Sequence, residues 1–176
     1  SESKETIQAI REKTQQVAGH VVDHFRHLHQ FPDLGWQEER TAVYVERVLT
    51  KLGLEPSRVA RTGVVVDLPA AEGGQPRRAL RADLDAIAGH ESTGLEYASR
   101  HDGIFHGCGH DAHTAILLGV AEVLLAVRGD GSRPVRLIAN CTALMSPASE
   151  SVSVPSRSKR MAWYKRKAPK AKNKNH

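Results

Sequence analysis

The sequence predicts an α/β fold, and three observations carry that prediction. Apolar residues recur on a 3.6-residue period in three separate segments. Short Val-, Leu- and Ile-rich runs bounded by Gly or Pro alternate with them. One of those runs ends in two acids, as strands of α/β enzymes do where they deliver polar groups to a cleft.

In the first segment Ile7, Ile10, Val17, Val21, Phe25 and Leu28, with Thr14 filling one place, form a single helical stripe. Phe31-Pro32 ends it, because Pro pushes the residue before it out of helical geometry, and Asp33-Leu34-Gly35 reads as a turn. A second helix is expected over about 37–52, burying Ala42, Val45, Val48, Leu49 and Leu52, with Gly53 as its stop. Thr62 to Leu68 reads as a strand, Ala70 to Arg78 as a Gly- and Pro-containing loop, and Ala79 to Leu84 as a second strand leading to Asp83 and Asp85. Residues 86–107 look irregular. A third helix is expected from about Asp111 to Val127, with Ile116, Leu117, Val120, Val123, Leu124 and Val127 apolar; a Gly129-Asp130-Gly131 turn and a strand over Pro134 to Ala139 follow. After Ala139 no period survives. Residues 140–176 are Ser-rich and then Lys-rich, and they are expected to be disordered and unrelated to the fold of 1–139.

A chain of 176 residues is expected to form one domain or slightly more. Its 40% hydrophobic content supports a core, which the 5% aromatic content makes aliphatic. No run approaches the roughly 20 apolar residues of a membrane span, and the polar start Ser1-Glu2-Ser3-Lys4-Glu5 lacks a signal core, so a cytoplasmic protein without a membrane partner is expected. Two cysteines, Cys108 and Cys141, make no disulfide framework. The net charge of +5 is uneven: residues 151–176 hold nine Lys/Arg and no acid, which leaves 16 bases against 20 acids, a net of −4, in 1–150. The basic character belongs to the tail, so the body is not expected to bind nucleic acid. Trp163-Tyr164 inside the basic run would suit base stacking, but a solvated tail is preferred.

Chemistry concentrates in Cys108-Gly109-His110-Asp111-Ala112-His113. A thiolate and an imidazole two residues apart, on a Gly-containing loop before a helix, can converge on Zn²⁺ or, less ideally, Mn²⁺. Asp111 in the first turn could hold a ligand imidazole in its correct tautomer. On spacing alone the cluster is equally a buried small Cys, a satisfied loop His and a helix-capping Asp. Asp83 and Asp85, two apart at a strand end, suit a cation site or the orientation of a ligand, or else are solvated acids countered by Arg81. His24, His27 and His29 read as polar residues of a helix surface; His20 and His90 receive no role.

With these segments in place the chain resembles the M20 peptidases, and most of all the branch that hydrolyses N-acyl amino acids: hippurate hydrolases, aminoacylase-like enzymes and auxin-conjugate hydrolases. The resemblance rests on Arg26 to Ala42 (RHLHQFPDLGWQEERTA), Leu80 to Ala86 (LRADLDA) and His106 to Ala115 (HGCGHDAHTA), in that order and spacing, and covers about residues 5–139. It implies the N-terminal part of a three-layer catalytic domain, a mixed β-sheet flanked by helices, and a pair of divalent metals, Zn²⁺ or Mn²⁺. It implies Cys108 and His110 as metal ligands, Asp85 as a metal-orienting residue at the catalytic site, and Asp83, Asp111 and His113 as residues that orient the ligands. The metals of that family activate water against an amide carbonyl, with a glutamate as general base.

The sequence departs from the family pattern at Ala88, where the family has Pro, at Gly89-His90, and after Val135-Arg136-Leu137-Ile138. There the family's Pro-Ala-Glu-Glu is expected and Ala139-Asn140-Cys141-Thr142 stands instead; Pro147-Ala148-Ser149-Glu150 is displaced by six positions. The general-base glutamate is therefore expected to be absent, as in a truncated, mis-spliced or frame-shifted product. The first functional expectation is a metal-dependent amidohydrolase by lineage, acting weakly or not at all on a small N-acyl amino acid or peptide. The alternatives are a non-enzymatic interaction module, with a second copy of the chain as a partner, and a tail that binds nucleic acid.

Overall fold

The computed structural model describes residues 2–68, 78–128 and 133–140. The expected loop over 70–78 (all but Arg78), the turn at 129–131 and the tail from Cys141 onward lie outside the described residues. Helix α1 spans Glu2–Gln30 and α2 Glu39–Lys51; strands β1 (Ser57–Val59), β2 (Gly63–Leu68) and β3 (Arg78–Ala82) follow. Two-residue strands β4 (Ile87–Ala88) and β5 (Ile104–Phe105) pair within the segment expected to be irregular. Helix α3 (His110–Val127) and β6 (Val135–Ala139) complete the set. β1 has no counterpart in the sequence reading, because three residues are too few to show a period.

The main sheet runs β1-β2-β6-β3. β6 pairs antiparallel with β2 and parallel with β3, so β3, α3 and β6 form a parallel crossover and the sheet is mixed. Register sets its two faces. Val64, Val66 and Leu68 lie beside Ala139, Leu137 and Val135, and Leu137 and Ala139 lie beside Leu80 and Ala82. This face, Leu80 excepted, packs against Ala42, Val45 and Leu49 of α2 and Leu117, Leu118 and Ala121 of α3. The opposite face carries Asp67 and Arg136, directly opposite one another and bonded at 2.7 and 3.0 Å. α2 stops as expected: Gly53 takes φ +83°, and Leu54 N–H donates to Leu49 O at 3.1 Å.

The stripe expected on α1 is buried only in part. Val17 and Leu28 are buried, whereas Ile7 is 51% and Ile10 38% exposed. The reason is length. At 1.5 Å per residue a 29-residue helix runs about 43 Å, and the 18-residue α3 against which it packs covers about 27 Å. α3 is apolar enough by composition to cross a membrane, but it packs against α1, α2 and the sheet. Asn140, placed by the sequence at the start of the unrelated tail, is buried; its N–H donates to Ala82 O at 3.1 Å and its Oδ1 accepts from Arg81 Nε at 2.8 Å.

α1 and α3 approach through Gly119, where an added Cβ would come within 2.4 Å of Val21 Cγ2. Gly119→Ala should therefore lower stability by about 1 kcal/mol, overpacking of about 1–3 kcal/mol outweighing a helix-propensity gain of about 1 kcal/mol. In a Val21→Ala background the same change should stabilise instead, which denaturant melts of the four proteins would read.

Candidate metal centre

The centre forms where β3 ends and α3 begins. Asp83 follows the last residue of β3, and Thr114 Oγ1, buried in the first turns of α3, donates to Asp83 O at 2.7 Å. Two glycines shape the loop between. A Cβ at Gly107 would meet Ile87 Cδ1 and Phe105 Cε2 at 2.8 Å, and Gly109 opens α3 with φ +86°, a left-handed conformation that side chains disfavour. On the first turn His110 and His113, three residues apart, share a face.

Asp83, His110 and His113 each offer a ligand atom, and these atoms all lie within 4.8 Å of one another. His110 Nδ1 is 2.8 Å from the carbonyl oxygen of Asp85. A carbonyl can only accept, so Nδ1 carries the proton and Nε2 presents the lone pair. Asp85 thus orients His110 through its backbone, while its buried Oδ1, 3.3 Å from the same nitrogen, makes no hydrogen bond. Two imidazoles and one carboxylate with ligand atoms this close fit a divalent cation.

The residues expected from the sequence are distributed as follows. His110 and Asp83 are together. His113, expected to orient rather than bind, is inside the group. Cys108, expected as the partner of His110, is an exposed free thiol outside it. Asp111 is buried and holds an imidazole, but that of His29: Nδ1 lies 2.6 Å from Asp111 Oδ2.

The sequence reading missed His29. Read there as a surface residue, it is 8% exposed. Its Nε2 lies 3.1 Å from Glu91 Oε1, so carboxylates flank both ring nitrogens, and because carboxylates only accept, the ring is a cation. Burial pulls its pKa down, but the bonds to Asp111 and Glu91 outweigh that and raise it above 6.5. Burial also works against the charge on Glu91, yet Ser99 N–H, Thr93 Oγ1 and His29 hold its pKa down at about 2. His106 was missed as well. It is 7% exposed, neither ring nitrogen has a partner among the described residues, and burial lowers its pKa despite nearby Asp111 and Asp85. The one signal that pointed to both residues was their place inside the motif runs.

Residues 79–142 match the family described as Peptidase family M20/M25/M40. The chain is similar to the N-acetyl-L-cysteine deacetylase of Bacillus subtilis, at 44% identity over 126 residues, 71% of this chain and 29% of that one. It is similar to the N-acyl-L-amino acid amidohydrolase of Geobacillus stearothermophilus, at 40% identity over 136 residues, 76% of this chain and 36% of that one. Among solved structures it resembles the B. subtilis YXEP protein, a dinuclear metal binding peptidase from the M20 family, with TM-score 0.64 and 35% identity over 73% of this chain and 35% of that one. The chain therefore spans about a third of the length of these relatives.

The shifts at His29 and Glu91 set a pH window. Glu91, with its pKa lowered, contributes stability above about pH 4.5 that is lost as pH falls toward about 2; His29, with its pKa raised, contributes stability below about pH 6.5 that is lost as pH rises through its folded value. The melting temperature of chelator-treated protein should fall on the alkaline side of that window. His29→Gln should remove that dependence and cost about 3–5 kcal/mol, since it leaves buried carboxylates without their counter-charge.

Proposed function

The chain belongs to the peptidase family M20/M25/M40, and on that premise we propose that it is a metal-dependent hydrolase of the amide bond in N-acyl amino acids or small peptides. The observation that carries this reading is the fixed tautomer of His110. With Nδ1 tied to the Asp85 carbonyl, Nε2 is the nitrogen left to bind a ligand, and His110, Asp83 and His113 hold ligand atoms within 4.8 Å of one another before any ligand arrives. A bound divalent cation would polarise an amide carbonyl and lower the pKa of water to near 7. Zn²⁺ and Mn²⁺ both suit the donor set. The family resemblance adds Cys108, two residues away on the loop between Gly107 and Gly109; His110 is common to both ligand sets.

The chain's own residues supply orientation. Asp85 sets His110, and Thr114 ties the end of β3 to α3. The glutamate base of the family has no counterpart in the Asp83–His110–His113 group. Hydrolysis by the 176-residue chain is therefore expected to fall about 10²–10⁴-fold below that of a protein that has the base. A small-molecule substrate and a cytoplasmic location belong to the same reading.

One observation favours a second reading, an interaction module. β3 is an edge strand among the described residues, with Arg78 to Arg81 exposed and Leu80 among them. Such an edge accepts a further strand. Light scattering that finds a concentration-dependent dimer, weakened by Leu80→Lys, would support it; a monomer at all concentrations would end it.

Calorimetric titration with Zn²⁺ or Mn²⁺ tests the main proposal. The parent chain should bind stoichiometrically, His110→Ala should abolish binding, and Asp83→Asn and His113→Ala should each weaken it at least about tenfold. Cys108→Ala separates the two ligand sets: a loss as deep as that of His110→Ala places the thiolate on the metal. No binding by the parent chain would remove the proposal.

A further inference from the structure

α1, Phe31 and α2 border a half-open pocket of about 210 Å³ lined by His27, Leu28, Phe31, Arg40, Thr41 and Tyr44. Its walls are rings. His27 stacks on Tyr44 with centroids 4.0 Å apart and planes at 17°, and Phe31 lies 5.0 Å from His27. The Tyr44 hydroxyl is fixed 2.7 Å from His24 Nδ1. Burial, and then the charge of Arg47, lowers the pKa of His27, so its ring is a neutral wall at neutral pH.

Guanidiniums border these rings, with the Asp23 carboxylate also acting on Tyr44. The Arg47 guanidinium lies 5.4 Å from the Tyr44 ring centre and that of Arg100 5.6 Å from the Phe31 ring centre. Arg40, in the lining, is neutralised by Asp33 at 2.7 and 3.0 Å. Arg47 and Arg100 are exposed and have no ion pair among the described residues. An apolar ring-walled pocket, with two guanidiniums over its bordering rings and in no ion pair among the described residues, is complementary to an anion with a flat apolar body. The volume lies below the roughly 300–1,000 Å³ of drug-sized sites, which sets the ligand at one ring and a short chain.

We propose that the α1–α2 pocket binds a small aromatic carboxylate, at a place separate from the metal group. None of the six lining residues belongs to that group, and the inference does not rest on the amidohydrolase reading.

The test uses the full chain stripped of metal by chelator and titrated with benzoate, with benzamide and acetate as controls for charge and ring. Calorimetry and saturation-transfer NMR should show one saturable benzoate site, with both controls weaker. Affinity should be unchanged in His110→Ala and should fall at least about tenfold in the pair Arg47→Glu and Arg100→Glu, the loss expected when charge-assisted hydrogen bonds are removed. Both arginines are exposed, so the melting temperature should hold; Arg47→Gln with Arg100→Gln gives the same test without charge reversal. Three results would overturn the proposal: no saturation up to about 10 mM, well past the millimolar range; loss of binding in His110→Ala, which would place the acid on the metal group; or full affinity in both arginine pairs.

Discussion

The His29 imidazolium, held between Asp111 and Glu91, is the interaction on which the rest of the arrangement depends. It joins three parts of the chain: the end of α1, the start of α3 and the long segment between β4 and β5, the first and last of which also share a backbone bond from Arg100 N–H to Gln30 O at 2.9 Å. Charge explains why all three groups must be present. One cation between two carboxylates leaves a net charge of −1 in a buried place, and the Ser99 N–H and Thr93 hydroxyl solvate what remains. Without the ring, two carboxylates would face each other across a poorly hydrated gap. With it, the first turn of α3 has one permitted position, and His110 and His113 are placed by the same turn.

The metal group is therefore a consequence of packing on both sides of α3's first turn. On one side Asp111 reaches His29; on the other, Thr114 reaches Asp83 and His110 reaches the Asp85 carbonyl. The glycines of the preceding loop let the backbone pass close to Phe105 and turn left-handed into the helix. The donors for a cation are thus presented by rigid elements, the end of a strand and the opening of a helix.

Much of this was legible in the sequence, and what was not has physical causes. α2, α3, β2, β3 and β6 follow periods and stop signals strong enough to survive without tertiary context. The overhang of α1 was hidden because a stripe says which face is apolar, while the length of the partner helix decides how much of it is covered. Asp83, Asp85, His110 and His113 were marked by spacing and by motif. The partition among them was not, because whether Cys108 or His113 turns toward His110 depends on φ at Gly109. His29 and Glu91 were out of reach for a different reason: two charges 62 residues apart become partners only when the fold is closed. His106 gives no periodic signal, and its burial is set by the β4–β5 pairing that delivers it.

The strand order carries a consequence for the timing of assembly. β2 and β3 never touch; each pairs with β6, whose residues come later in the chain than both. During synthesis the inner edges of β2 and β3 are open until Ala139 has emerged, and the sheet cannot close by stepwise addition of neighbours. Such a late central strand raises the mean sequence separation of contacts, which slows folding and lengthens the interval in which bare strand edges can capture other chains. A nascent chain of this design would commit to its structure in one late step, and would depend until then on whatever shields those edges in its surroundings.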